Sequence, residues 1–154
     1  MKAQVSPRPA DPIPLFEQWY AEAVATGMKM PEAMALATAT RRGVPSVRMV
    51  LLKGFDAHGF VFYTSYRSRK GHELARNPRA TLLFYWPELD LQVRIDGRVK
   101  KVSARESDAY FRTRPRESQL GGWASDQSQP IGSRQELADK LAKIESRFDG
   151  LDVP

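Results

Sequence analysis

The sequence predicts an α+β domain that is mainly β, an antiparallel barrel with helices packed against it. About five or six short runs of β-branched and aromatic residues follow one another in meander order, bounded by Gly, Pro and Asn. Helical periodicity is confined to the start of the chain, to the stretch after the third of the well-marked strands, and to the end. With 154 residues, 42% of them hydrophobic and 27% charged, the chain is long enough to bury a core, and no linker divides it.

Residues 1–14 hold Pro7, Pro9, Pro12 and Pro14 with little apolar content, which predicts an irregular arm and places the domain over residues 15–154. Leu15, Trp19 and Ala23 share a helical face, with Phe16 and Tyr20 beside them, and Gly27 is the stop. Ala33 to Thr40 fits helix or strand by periodicity; the turn over Arg41 to Pro45 and the strong strand pattern after it favour strand. Val47 to Lys53 and Gly59 to Thr64 read as the two arms of a hairpin, with the turn over Phe55 to Gly59. A short helix from Arg69 is stopped by Asn77-Pro78.

Ala80 to Trp86 is a buried strand ended by Pro87. Leu89 to Val102 carries Leu89, Leu91, Val93 and Ile95 at period two, with Gly97 permitting a bulge or turn. Ser103 and Glu106 form a capping box that opens a helix through Phe111, and Arg114-Pro115 breaks it. Glu117 to Trp123 makes a further turn of helix, residues 124–133 a polar loop, and Gln135 to Phe148 a last amphipathic helix presenting Leu137, Leu141, Ile144 and Phe148.

A formal charge of +6 implies an anionic partner. The absence of cysteine excludes disulfides, thiolate catalysis and Cys-ligated metals. No apolar run approaches a membrane span and the N-terminus has no apolar signal core, so a cytoplasmic protein without membrane partners is expected. His58, in an Asp-Ala-His-Gly turn, is expected in solvent; it and His72 offer neither a metal-ligand pattern nor a base beside a nucleophile.

Two stretches remain. Ser65 to Gly71 sets hydroxyls and Arg67, Arg69 and Lys70 at a helix start, where backbone N–H groups and the helix dipole favour an anion. With Arg76, Arg79, Tyr63 and Tyr66 nearby, a nucleic-acid strand is one such anion, although Phe60, Phe62, Phe84 and Tyr85 lie in runs apolar enough to be mostly core. The second stretch, Arg112 to Ser128, brings Arg112, Arg114 and Arg116 close together and puts Gly121-Gly122 before Trp123, a pocket-like composition that implies tight backbone approach. Arg48 and Lys53 fall on opposite faces of a regular strand, and Gln92 and Arg94 share the face opposite Leu91 and Val93.

These residues form a larger pattern. R-M-V-L-L-K (48–53), F-Y-T (62–64), S-R-K (68–70), N-P-R-A (77–80), Gln92-Val93, Tyr110-Phe111, R-P-R-E-S-Q-L-G (114–121) and Gln127-Ser128 stand in the order found in pyridoxamine 5′-phosphate oxidases, and from about Asp11 to Pro154 the chain resembles that family. The resemblance implies an FMN-binding split β-barrel, working as a homodimer with FMN at the subunit interface. It assigns cofactor contacts to Arg48, Met49, Val50, Leu51, Leu52, Lys53, Tyr63, Thr64, Arg69, Lys70, Gln92, Gln127 and Ser128, and substrate contacts to Lys53, Tyr110, Arg114 and Ser118. It implies oxidation of pyridoxamine or pyridoxine 5′-phosphate to pyridoxal 5′-phosphate in vitamin B6 metabolism. Hydride passes from substrate C4′ to flavin N5, and O2 is the final acceptor. No catalytic acid–base side chain, metal or nucleic acid is implied.

The chemistry of the residues agrees, since a phosphate dianion suits Arg69, Lys70 and a helix N-terminus. A flavin- or pyridoxal-phosphate-binding barrel without oxidase activity is the alternative. Family members continue beyond the equivalent of Val153-Pro154 into W-G-G-Y/F-R and R-L-H-D-R segments that this sequence lacks. A shortened chain is therefore expected, keeping most of the FMN phosphate site with weaker cofactor affinity and lower turnover.

Overall fold

The computed structural model describes residues 11–154. In chain order they form α1 (Ile13–Ala25), β1 (Ala33–Ala39), β2 (Pro45–Leu51), β3 (Gly54–Asp56), β4 (Gly59–Val61), α2 (Arg69–Arg76), β5 (Arg79–Trp86), a 3-10 turn (Pro87–Leu89), β6 (Leu91–Arg98), α3 (Ala104–Thr113), α4 (Arg116–Ala124) and α5 (Arg134–Arg147). Most of the arm expected over residues 1–14 lies outside the described residues, but α1 begins two residues before Leu15. Asp11 Oδ1 accepts the Ile13 N–H at 2.9 Å, and Pro14 sits in the first turn, where no donor is needed.

The expected hairpin is corrected. Gly59–Val61 pairs with Gly54–Asp56 rather than with the run ending at Lys53, in antiparallel register Gly54↔Val61, Phe55↔Phe60, Asp56↔Gly59. The turn shrinks because Asp56 Oδ1 accepts the N–H groups of His58 (2.7 Å) and Gly59 (3.2 Å), while Gly59 takes a φ of 143°. Gly54 and Phe55 are thereby left to pair. The other four strands are ordered β2-β1-β5-β6, so the meander expectation fails between β1 and β5. β1 suits an interior position, alternating buried Met34, Leu36 and Thr38 with half-buried alanines. The strand expected from Leu89 starts at Leu91, because Pro87 opens a 3-10 turn that closes on Asp90 in the left-handed region (φ 49°).

The chain divides into two compact units. The first comprises the described residues up to Ala37, Val47–Phe62 and Thr81–Gly97; the second comprises Thr38–Ser46, Tyr63–Ala80 and Arg98–Pro154. In the first, Phe16 of α1 is the hub. Its ring lies 4.9 Å from Phe55, 4.8 Å from Phe60, 5.2 Å from Phe84 and 5.9 Å from Trp86, mostly edge to face. Met34, Leu36, Leu52 and Leu82 complete this core, and the Trp86 indole N–H donates to the Pro31 carbonyl at 2.9 Å.

The opposite face of the same sheet is open. Period two buries Leu82, Phe84 and Trp86, so Tyr85, expected among core aromatics, points outward and is 62% exposed; on β2, Val47 is 69% and Met49 63% exposed. Gln92 and Arg94 are exposed between half-buried Leu91, Val93 and Ile95.

The core of the second unit is Leu120, Phe148 and Val153, with Phe111, Leu141 and Ile144 packed against it. Ser103 and Ser133 cap α3 and α5, accepting the N–H groups of Glu106 (3.2 Å) and Glu136 (3.0 Å). Arg116 is not part of an anion-seeking cluster: its Nη1 and Nη2 donate to the carbonyls of Leu151 and Phe148, at 2.9 and 2.5 Å. The tight backbone approach expected at Gly121-Gly122 is absent: both lie within α4, a Cβ at Gly121 would meet nothing within 4 Å, and one at Gly122 would make ordinary contact with the Arg114 and Phe111 side chains at 3.7 and 3.8 Å. Among the described residues, no helix is long and apolar enough to cross a membrane.

Replacing Phe16 with Ala removes the ring that meets Tyr20, Phe55, Phe60, Phe84 and Trp86 and should lower the unfolding free energy by about 3–5 kcal/mol in urea titrations. A loss below about 1 kcal/mol would mean that the core is organised elsewhere.

Candidate functional site

The segment from Tyr63 to Arg76 supplies the polar centre of the second unit. Ser68, fully buried, is the N-cap of α2: its Oγ accepts the Gly71 N–H (3.3 Å) and donates to the Ser65 carbonyl (2.7 Å). Gly71 is required by packing. A Cβ at that position would overlap the Ser65 and Tyr66 carbonyls, so the hydroxyl-rich turn is pressed against the first turn of the helix. Lys70 follows the cap and is buried; its Nζ donates to Gln127 Oε1 at 2.7 Å and lies 3.2 Å from Ser68 Oγ. Gln127 Oε1 also accepts from the Thr64 hydroxyl at 3.2 Å. Gln127, 63 and 57 residues away in sequence, thus meets Thr64 and Lys70.

Arg69 is more than half exposed and donates through Nε to Oε1 of the buried Glu73 at 2.9 Å. Oε2 of Glu73 accepts the hydroxyls of Thr38 (2.5 Å) and Ser46 (2.6 Å). Burial by itself would raise the Glu73 pKa. The hydrogen bonds from Ser46, Thr38 and Arg69, with the charge of Arg69, together outweigh it and hold the group down at about 2. Glu73, Thr38 and Ser46 went unrecognised in the sequence. The i,i+4 spacing of Arg69 and Glu73 was a readable signal for one of them, whereas nothing local marks the two hydroxyls.

Tyr63 stacks on Tyr110 of α3, with centroids 3.7 Å apart and planes within 4°. Burial, then the negative charge of Glu106 and the neighbouring phenols Tyr110 and Tyr66, raise the Tyr63 pKa, which keeps its hydroxyl a donor at neutral pH. Arg114 caps the C-terminus of α3, its guanidinium 5.7 Å from the Phe111 ring, and Ser118 lies in the first turn of α4, where its N–H bonds the Pro115 carbonyl at 2.9 Å. Ser128, also assigned to the cofactor, is exposed in the loop after α4 with a φ of 68°.

The remaining assigned residues belong to the first unit. Arg48 to Leu51 complete β2: Arg48 Nη1 donates to the Leu36 carbonyl at 3.1 Å, Met49 faces outward, and Val50 and Leu51 are half-buried. Leu52 is buried, and Lys53 lies past the strand end, exposed, with its N–H on the Val61 carbonyl at 2.8 Å. Gln92 faces outward on β6, and His58 is exposed in its turn. Among the described residues, no three of His, Asp and Glu gather as metal ligands.

The donor set around α2 fits a phosphate monoester. It combines a guanidinium on the exposed side, an ammonium, the Thr64 hydroxyl and the positive end of a capped helix.

Comparison with known proteins bears on which phosphate. The family profile described as pyridoxamine 5′-phosphate oxidase matches residues 20–148. The pyridoxine/pyridoxamine 5′-phosphate oxidase of Rubrobacter xylanophilus is 58% identical over 144 residues, which is 94% of this chain and 66% of that protein. The chain thus spans slightly under two thirds of that relative's length. Among solved structures, PhzG from Burkholderia lata, in complex with tetrahydrophenazine-1-carboxylic acid, superposes with a TM-score of 0.89 at 33% identity, covering 95% of this chain and 71% of that one. A pyridoxamine 5′-phosphate oxidase-related, FMN binding protein from Nostoc punctiforme gives a TM-score of 0.63 at 20% identity, covering 87% and 73% of the two chains. The α+β split-barrel fold is common to these proteins and this chain.

The Glu73 network predicts a pH signature. Its carboxyl titrates at about 2 in the fold against an ordinary 4.5, so its contribution to stability is complete above about 4.5 and is lost as the pH falls through about 2. The stability gap between the unsubstituted chain and Glu73→Gln, read by urea unfolding with circular dichroism, should narrow across that window. A gap that is the same at both ends would place Glu73 outside any charge-dependent network.

Proposed function

Because the chain belongs to the pyridoxamine 5′-phosphate oxidase family, we propose that it binds FMN and oxidises pyridoxamine or pyridoxine 5′-phosphate to pyridoxal 5′-phosphate, with O2 as acceptor, in the cytoplasm. The observation that carries the reading is the convergence of Thr64, Lys70 and Gln127 beside Arg69 at the capped start of α2. The family resemblance implies cofactor contacts at each of them, and two separate segments supply them, residues 64–70 and the loop at Gln127.

In this reading Arg69, Lys70 and Thr64 bind the FMN phosphate, with Gln127 holding the Lys70 ammonium in place. Ser128 and Tyr63 add cofactor contacts in the second unit; Arg48, Met49, Val50, Leu51, Leu52, Lys53 and Gln92 are the proposed contacts on the first. Tyr110, Arg114 and Ser118 take the substrate phosphate, a second dianion that calls for a second set of donors, and Lys53 is a further substrate contact. FMN supplies the two-electron acceptor. Across the whole reaction, the amine of pyridoxamine 5′-phosphate, O2 and water give the aldehyde, ammonia and hydrogen peroxide. The chain's own residues bind and orient; none needs to act as an acid or base for hydride transfer.

The open face of the first unit's sheet supports the homodimer. Val47, Met49 and Tyr85 present an apolar surface flattened by the alanines of β1, the composition of a self-complementary interface.

Three measurements test the reading. The desalted protein titrated with FMN should show saturable binding by its visible absorption, and Lys70→Met should weaken it about tenfold or more. Flavin-loaded protein given pyridoxamine 5′-phosphate should consume O2 and form pyridoxal 5′-phosphate. Retained flavin without turnover would favour a flavin-binding barrel that is not an oxidase, and no flavin binding would remove the reading altogether. In light scattering, the chain should run as a dimer and Val47→Arg/Met49→Arg as a monomer; a monomer without substitution would remove the homodimer.

A further inference from the structure

We infer that Glu73 is a positioning residue for the cofactor phosphate: it holds Arg69 through Nε so that the terminal guanidinium nitrogens stay on the exposed side, aimed at the anion. The inference rests on the proposed FMN site and adds a residue to it that touches neither cofactor nor substrate.

The geometry has two halves. On one carboxylate oxygen, Oε1, Glu73 accepts the Arg69 Nε–H at 2.9 Å; the Arg69 side chain is 59% exposed and that of Glu73 only 6%. The pair is therefore asymmetric, with a buried anchor and a largely exposed cation that is held through Nε. An arginine on a surface helix without such an anchor samples many rotamers, and a ligand that recruits it must first order it. On the other oxygen, Oε2, the hydroxyls of Thr38 and Ser46 arrive at 2.5 and 2.6 Å. These hydroxyls come from either side of the β1–β2 turn and fix the plane of the carboxylate, so the anchor is itself anchored. The carboxyl pKa of about 2 means that the ion pair persists throughout neutral and mildly acidic pH.

The inference opposes a simpler expectation. Glu73 places a negative charge close to the proposed phosphate position, and by charge alone its removal should tighten FMN binding. Positioning predicts the reverse. Glu73→Gln keeps size and most hydrogen-bonding capacity but removes the charge-assisted hold on Nε, and FMN affinity should fall about tenfold.

Riboflavin, which lacks the phosphate, separates this role from a structural one. Titrating FMN and riboflavin in parallel into the unsubstituted chain, Glu73→Gln and Thr38→Val should show FMN binding weakened in both variants while riboflavin binding stays unchanged. Thr38→Ser, which keeps the hydroxyl, should bind FMN as the unsubstituted chain does. In an Arg69→Met background, Glu73→Gln should cause no further loss, because there is no guanidinium left to position. Thr38→Val removes a single donor and serves as the folded control if Glu73→Gln fails to fold.

Equal losses of FMN and riboflavin would overturn the inference in favour of a structural role, and unchanged or tighter FMN binding would overturn it outright. Failure of the unsubstituted chain to bind FMN would overturn the functional reading and this inference with it. Normal FMN binding that is insensitive to Glu73 would overturn this inference alone.

Discussion

A carboxylate withdrawn from water must be given donors, and the second unit is arranged around the need of Glu73 for them. The donors come from the strand before the first turn, from the strand after it and from the residue one helical turn back. Two segments more than 25 residues away in sequence are thereby tied to α2. Asn77, which ends that helix, reinforces the tie by donating through Nδ2 to the Ala39 carbonyl at 3.2 Å. A half-satisfied buried carboxylate would cost more than it contributes, so such a network holds together or fails together. The N-cap at Ser68 and the close turn over Gly71 depend on the same helix, which is why one short amphipathic element governs the placement of nearly every polar group in the region.

The first unit follows a different rule. Its described interior is largely aromatic and fixed by ring geometry around Phe16, and the Trp86 indole nitrogen is satisfied by a backbone carbonyl. Alternation along β5 sends Leu82, Phe84 and Trp86 inward and leaves Tyr85 outside, while β2 exposes Val47 and Met49. One strand period therefore accounts both for the core and for an apolar face turned the other way.

Periodicity and caps made much of this legible in the sequence. Ser103 with Glu106 located the start of α3, Asn77-Pro78 the end of α2, and the alternation after Leu91 the course of β6. The residue types at Arg69 and Lys70 pointed to an anion site, and the family resemblance added Thr64 and Gln127 to it. What escaped was non-local or depended on a single side chain. Strand pairing turned on Asp56 bonding two N–H groups, which shortened a turn and gave Gly59–Val61 a different partner. The three clustered arginines looked alike, yet Arg116 is committed to the carbonyls of Phe148 and Leu151. Thr38 and Ser46 carry no local mark of a role, because their importance lies in a carboxylate that is close only once the chain has folded.

The three tryptophans divide between the units, Trp86 and half-buried Trp19 in the first and Trp123 in the second, so each unit carries an optical reporter. Trp86 is sealed in the aromatic core of the first unit, where an indole emits at short wavelength, quenched or not by its ring neighbours. Trp123 in the second unit is partly open to water, flanked by Phe148 and the Arg147 guanidinium, with its N–H on the Pro154 carbonyl at 2.9 Å. Its emission therefore registers whether the last residues remain docked, independently of events around Phe16. The intrinsic fluorescence of this cysteine-free chain can thus resolve, without any attached dye, whether its two units melt in one step or in succession.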